Sequence, residues 1–190
     1  MNAYTYKDEG FTGLEAAIVF IAFIVVAAVF SYVVLGAGFF TTQKSQEVVH
    51  TGVQQASSTL QISGEVYGTG DSTSIKAFNF SIQLAAGGTA VDVSKMVVTY
   101  STGAGIETLT RVGTLNTAAT AGEWSVVAIQ NPVVSDWLLE KGETMSIMAY
   151  PTNSPGTDTQ INIELKPISG ASLDIRRTTP AALHEVNVLY

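Results

Sequence analysis

The chain carries little that could do covalent chemistry. His50 and His184 are its only imidazoles, and neither lies in a recognisable arrangement with an acid and a nucleophile. Cysteine is absent, which removes disulfides, thiolate nucleophiles and the usual zinc knuckles. The glycine-rich Gly68-Thr69-Gly70-Asp71-Ser72 lacks the Gly-Lys-Ser/Thr ending and following helix of a phosphate-binding loop, so it reads as a turn. Asp71, Asp92 and Asp158 are oxygen donors of the kind calcium takes, but no loop has EF-hand spacing and no metal site is assigned. One modification site is explicit: Asn79-Phe80-Ser81 is the only N-x-S/T sequon. Strand alternation around it puts Asn79 on the polar face, where an N-linked glycan could be attached. These residues point away from an enzyme and imply no cofactor.

The elements behind these residues divide the chain in two. From Ala16 to Phe40 (AAIVFIAFIVVAAVFSYVVLGAGFF) there is no charged residue, and Ser31 is the one strongly polar interruption. About 25 helical residues rise roughly 37 Å, enough to cross the hydrocarbon core of a bilayer. Thr12 at the N-cap and Glu15 three residues later form a capping box at helix entry. Glu15 has a second, compatible reading: a carboxylate beside an apolar helix is costly to bury alone, and a free amino terminus on a neighbouring copy would neutralise it. Beyond the apolar run, Val49, Val53, Ala56 and Leu60 recur four, three and four apart, one stripe on a continuing helix. The spacing predicts a helix from about Thr12 to Leu60, within an N-terminal segment of 11–62, weakened at Gly36 and Gly38. Its aromatics (Phe20, Phe23, Phe30, Tyr32, Phe39 and Phe40, with Phe11 ahead of them) supply packing area between helices or toward lipid; a stacked electron path is the other reading. An ordinary secretory leader fits poorly, because the run is too long, its start is not basic and no small-residue cut site follows it.

After Ser63-Gly64 the period changes to two. Phe78, Phe80, Ile82 and Leu84 alternate with polar residues, as in a half-buried antiparallel strand. Further strands read at Lys95–Ser101, Thr108–Val112, Trp124–Gln130, Thr144–Tyr150, Gln160–Lys166 and around Leu173 and Ile175, separated by turn clusters such as Gly68–Ser72 and Pro151–Gly156. The predicted architecture is therefore α+β: a long apolar N-terminal helix, then an all-β immunoglobulin-like sandwich over 63–190. A formal net charge of −7, with the basic residues scattered, argues against nucleic acid as a partner.

With these residues in view, the chain resembles the archaellins, the archaeal flagellins. The likeness is strongest in Gly13–Gly64, through the apolar helix, its Gln43-Lys44 polar continuation and the step into a β domain. A second match lies at the end, in IELKPISGASLDIRRTTPAALHEVNVLY, with its Lys-Pro and Arg-Thr-x-Pro segments. The resemblance implies a type IV pilin-like precursor whose leader, residues 1–10, is removed by a prepilin-type signal peptidase between Gly10 and Phe11. Asp8-Glu9 precede that glycine, where such leaders usually carry a basic residue. The resemblance further implies a precursor held in the cytoplasmic membrane. It implies a homo-polymeric extracellular filament for swimming, built on a membrane assembly platform with an ATPase motor. The other readings are a non-rotating archaeal adhesion pilin and a single-pass membrane-anchored binding domain.

Overall fold

The protein is described from a computed structural model, which covers residues 6–190, the side chains of residues 6–12, 54, 56 and 57 excepted. Its contacts group into two units, Met1–Thr51 and Gly52–Tyr190. Helix α1 spans Tyr6–Ser57. Val and Ile are indifferent helix formers in water, but a backbone that bonds only to itself suits an apolar stretch of this length.

After the end of α1 the second unit is built of β-strands, with one short 3-10 turn at Val93–Lys95. Its strands are β1 (Leu60–Ile62), β2 (Val66–Gly70), β3 (Ile75–Leu84), β4 (Val91–Asp92), β5 (Val97–Thr102), β6 (Gly105–Arg111) and β7 (Glu123–Gln130). They continue with β8 (Leu138–Leu139), β9 (Thr144–Tyr150), β10 (Gln160–Lys166), β11 (Leu173–Thr178) and β12 (Val186–Leu189). Hydrogen bonding follows the order β11-β10-β5-β6-β7-β9-β3-β2-β12, with β1 also on β3 and β4-β8 as a separate pair. The path folds back on itself. Phe78 on β3 stacks on Tyr100 of β5, ring centroids 5.6 Å apart, although β6, β7 and β9 lie between those strands along the sheet. The expected sandwich is thus built from one continuous ribbon whose two layers are joined by the short parallel contact of β6 with β7, Thr110↔Glu123 and Arg111↔Trp124. Alternation works as predicted: from Phe78 to Leu84 on β3 every second side chain is buried, and the same holds along β9 and β10. The inward residues, among them Trp124, Ile147 and Ile163, form a single hydrophobic core.

Three local expectations need correction. The helix begins at Tyr6, not at Thr12; residues 6–12 hold no proline, and the one glycine, Gly10, weakens a helix without ending it. Thr12 and Glu15 are interior helical positions in the uncut chain, and the Thr12 side chain lies outside the described residues. At the other end the helix stops at Ser57 rather than running to Leu60, short of the end of the 11–62 segment. Leu60, read as the last member of the helical stripe, is buried in the sandwich, because Leu60–Ile62 pairs antiparallel with Ile82–Leu84. Finally, Gly68-Thr69-Gly70 is strand; the turn is confined to the residues after it. A side chain at Gly70 would collide with the Ser74 carbonyl oxygen, so glycine there lets β2 approach the start of β3.

Candidate functional site

The candidate site is the surface of α1. All described residues from Gly13 to Val53 are exposed, and this segment is long and apolar enough to cross a membrane. Phe20, Phe23, Phe30, Tyr32, Phe39 and Phe40 are each at least 63% exposed, and at about 100° per residue they point to all sides of the helix rather than to one stripe. Each Phe, Leu or Ile left in water forgoes roughly 1.5–3 kcal/mol. Gly38 opens a notch in this surface, a groove of about 480 Å³ walled by Phe30, Val34, Leu35 and Phe39.

The polar groups at the end of the apolar run are satisfied within the helix. Thr41 Oγ1 donates to the Ala37 carbonyl at 2.8 Å and Thr42 Oγ1 to that of Gly38 at 2.9 Å. Lys44, the first charge after Glu15, bonds Glu47 at 2.6 Å one turn on. Hydroxyls that bond to their own helix backbone can be buried at low cost, whereas the Lys44–Glu47 pair stands in water and burying it would desolvate both charges. Glu15 is exposed on the helix, and among the described residues no cation lies within ion-pair distance of it. The helical backbone passes through Gly10 and Phe11, but their side-chain positions lie outside the described residues.

Elsewhere the residues singled out for chemistry are structural or separate. His50 and His184 are both exposed; the His184 backbone N–H donates to Asn187 Oδ1 at 2.9 Å. Asp71 accepts from the backbone N–H groups of Thr73 and Ser74, both at 2.9 Å, and from the Thr73 hydroxyl. These bonds, the Thr73 hydroxyl foremost, hold its carboxyl well below the usual range. Asp92 caps the 3-10 turn Val93–Lys95 through Ser94, which lowers it likewise. Asp158 sits apart on an exposed turn at φ 50°. Among the described residues no three His, Asp or Glu side chains converge. Asn79 lies on the outer side of β3, half-buried, with Nδ2 donating to Thr69 Oγ1 at 3.3 Å.

Three residues that hold the sandwich escaped the sequence reading. Glu143 is 1% exposed; its Oε1 accepts from the Val133 N–H at 2.6 Å and its Oε2 from the Glu140 N–H at 3.0 Å. Thr179, in the Arg-Thr-x-Pro segment, is buried and donates to the Gly156 carbonyl at 2.7 Å while accepting from the Thr159 N–H at 2.8 Å. Gly170, at φ 109°, lies so close to Ser58 that a Cβ would overlap its carbonyl oxygen. Only for Thr179 is there a trace in the sequence, in the quoted terminal segment; burial of Glu143 and the approach at Gly170 are long-range facts.

An uncovered apolar helix and a β unit with its own closed core define the class of chain that comparison then specifies. The chain belongs to the archaeal-type flagellin family, whose profile matches residues 10–177; it is a family of structural subunits, not of enzymes. It is 42% identical to probable flagellin 1 of Archaeoglobus fulgidus over 96% of both chains. Its fold matches the solved archaeal flagellum of Methanospirillum hungatei strain JF1 with a TM-score of 0.74 and 34% identity, over 94% of this chain and 99% of that one. The crystal structure of archaeal flagellin FlaB1 from Methanocaldococcus jannaschii shares the fold at a TM-score of 0.58 and 18% identity, over 68% of this chain and 95% of the other.

Proposed function

We propose that this chain is a structural subunit of the archaellum filament and that it polymerises through α1. The observation that carries the reading is the uncovered helix Gly13–Val53. An all-round apolar helix is stable in lipid, where its backbone bonds are internal. Drawn out into water, it has to bury that surface against other helices. A bundle of identical copies supplies the surface, and head-to-tail contacts that do not close produce a helical polymer. Membrane residence is then the precursor state, and the sandwiches coat the outside of the extracellular filament. In this scheme residues 1–10 are removed by a prepilin-type peptidase between Gly10 and Phe11. The new amino terminus then lies close in sequence to Glu15, which neutralises that of a neighbouring copy. Phe20, Phe23, Phe30, Tyr32, Phe39 and Phe40 pack in the filament core, and a membrane platform with its ATPase supplies export and torque. Asn79 carries an N-linked glycan.

Shearing filaments from cells and sequencing their main protein tests this directly. The expected product begins at Phe11. A chain that stays in the membrane with Met1 intact overturns the reading in favour of an anchored domain. Loss of attachment rather than of swimming on deletion overturns it in favour of an adhesion pilin.

A further inference from the structure

The solvent face of the sheet next to Asn79 is built like a seat. Tyr67 on β2 stands directly opposite Asn79 in the antiparallel register, with Met148 of β9 on the other side. Opposed residues project to the same face with Cβ atoms about 5 Å apart, so the Tyr67 ring is the immediate neighbour of the Asn79 amide. Tyr67 is 42% exposed in a strand whose flanking residues, Val66 and Gly68, are buried. Between the two residues and the β1–β2 connection lies a groove of about 310 Å³, lined also by Ser63, Glu65, Ser81 and Ser146. It combines one exposed aromatic ring with a ring of hydroxyls and a carboxylate. A pyranose has complementary chemistry, an apolar C–H face and a polar hydroxyl edge.

We propose that this groove seats the innermost sugar of a glycan on Asn79, its C–H face against the Tyr67 ring and its hydroxyls toward the serines and Glu65. The inference rests on the reading of Asn79 as a glycan acceptor. Forming the linkage joins Nδ2 to the sugar C1. The C1–O bond to the phosphate leaving group of an activated sugar donor breaks, and one amide proton leaves with that phosphate. The amide keeps its second N–H, and Thr69 Oγ1 is in place to accept it. That bond fixes the amide plane and so the direction in which the sugar leaves. The folded sheet also engages the other recognition atom of the sequon, since Ser81 Oγ is hydrogen-bonded to Ser146 Oγ at 3.0 Å. Transfer therefore precedes pairing of β3 with β2 and β9, and the sugar is enclosed as the sheet closes.

Nitration of tyrosines in sheared filaments, read residue by residue from peptides, tests the seat. Exposed Tyr190 serves as the internal reference. In wild-type filaments Tyr67 is expected to lose most of its reactivity relative to Tyr190, and in Asn79→Gln filaments to regain it. Protection should persist when the glycan is trimmed to its first sugar. A glycan on Asn79 with equal Tyr67 reactivity in both filaments overturns the seat alone, as does protection that vanishes on trimming. Absence of any sugar mass on the Asn79 peptide overturns the modification itself and the seat with it.

Discussion

The two units of this chain handle apolar side chains in opposite ways. In the sandwich, Trp124, Ile147 and Ile163 are enclosed by strands of the same chain, so the energy of burial is realised on folding. In α1, Ile, Val, Leu and Phe side chains remain exposed from Leu14 to Val53, so the energy of burying them is not realised within the chain. If the proposed assembly holds, folding and polymerisation draw on different residues, and substitutions in the two units should fail in different assays.

The sharpest break in that contrast is a charge in the helix. Under the proposed assembly, Ala27→Asp places an unpaired carboxylate on a surface that has to become dry, a cost of several kcal/mol. Filaments should be absent by electron microscopy, while the sandwich of the detergent-solubilised chain keeps its wild-type denaturation midpoint. Normal filament yield would mean that this part of α1 is not in a dry core. The converse change is Trp124→Ala, expected to cost the sandwich about 3–5 kcal/mol in chemical denaturation while leaving helix content in detergent unchanged. Gly170→Ala combines a left-handed backbone with the overlap at Ser58 and should cost about 1–3 kcal/mol, accompanied by faster proteolysis near residue 58. Glu143→Ala leaves the Val133 and Glu140 N–H groups without their acceptor, and about 1–3 kcal/mol should be lost, with faster hydrogen exchange confined to 131–143.

Acid provides the smallest effect. Asp71, Asp92 and Glu123 all titrate below their ordinary range, each chiefly through a hydroxyl donor: Thr73, Ser94 and Thr120 respectively. Groups whose folded-state pKa is depressed stabilise fully above the unfolded carboxylate value of about 4, and that contribution is lost as pH falls through the depressed folded values. The sandwich should therefore weaken below about pH 4, and a combined Asp71→Asn and Asp92→Asn variant should show a shallower acid limb in thermal melts. An unchanged acid limb would assign it to other groups.

Much of this division was legible from residue order alone. The helix announces itself by composition, and Gln160–Lys166 by strict alternation, because in each case the relevant period is contained within the segment. What failed was decided at a distance. Leu60 continues a helical stripe locally, and only pairing with Leu84 makes it strand. Gly68 and Gly70 look like turn residues until Ile75 and Ser74 are brought against them. Glu143 resembles any surface acid, since what buries it is the fold of 131–142 around its carboxylate. Within the candidate site, the positions of the aromatics were readable, but the bonds Thr41 and Thr42 make to their own helix require coordinates. The cap at Thr12 failed because a local motif cannot exclude a helix that starts earlier.

The ribbon that forms the sandwich has two terminal strands, β11 and β12, and their ends meet: the Thr178 N–H donates to the Tyr190 carbonyl at 3.0 Å. Free strand edges are templates for unwanted pairing between molecules. Here one edge is only four residues long, and the other carries Arg176 and Arg177 in succession. Where many identical β domains crowd along one polymer, an edge this short and an edge this charged disfavour pairing between neighbours.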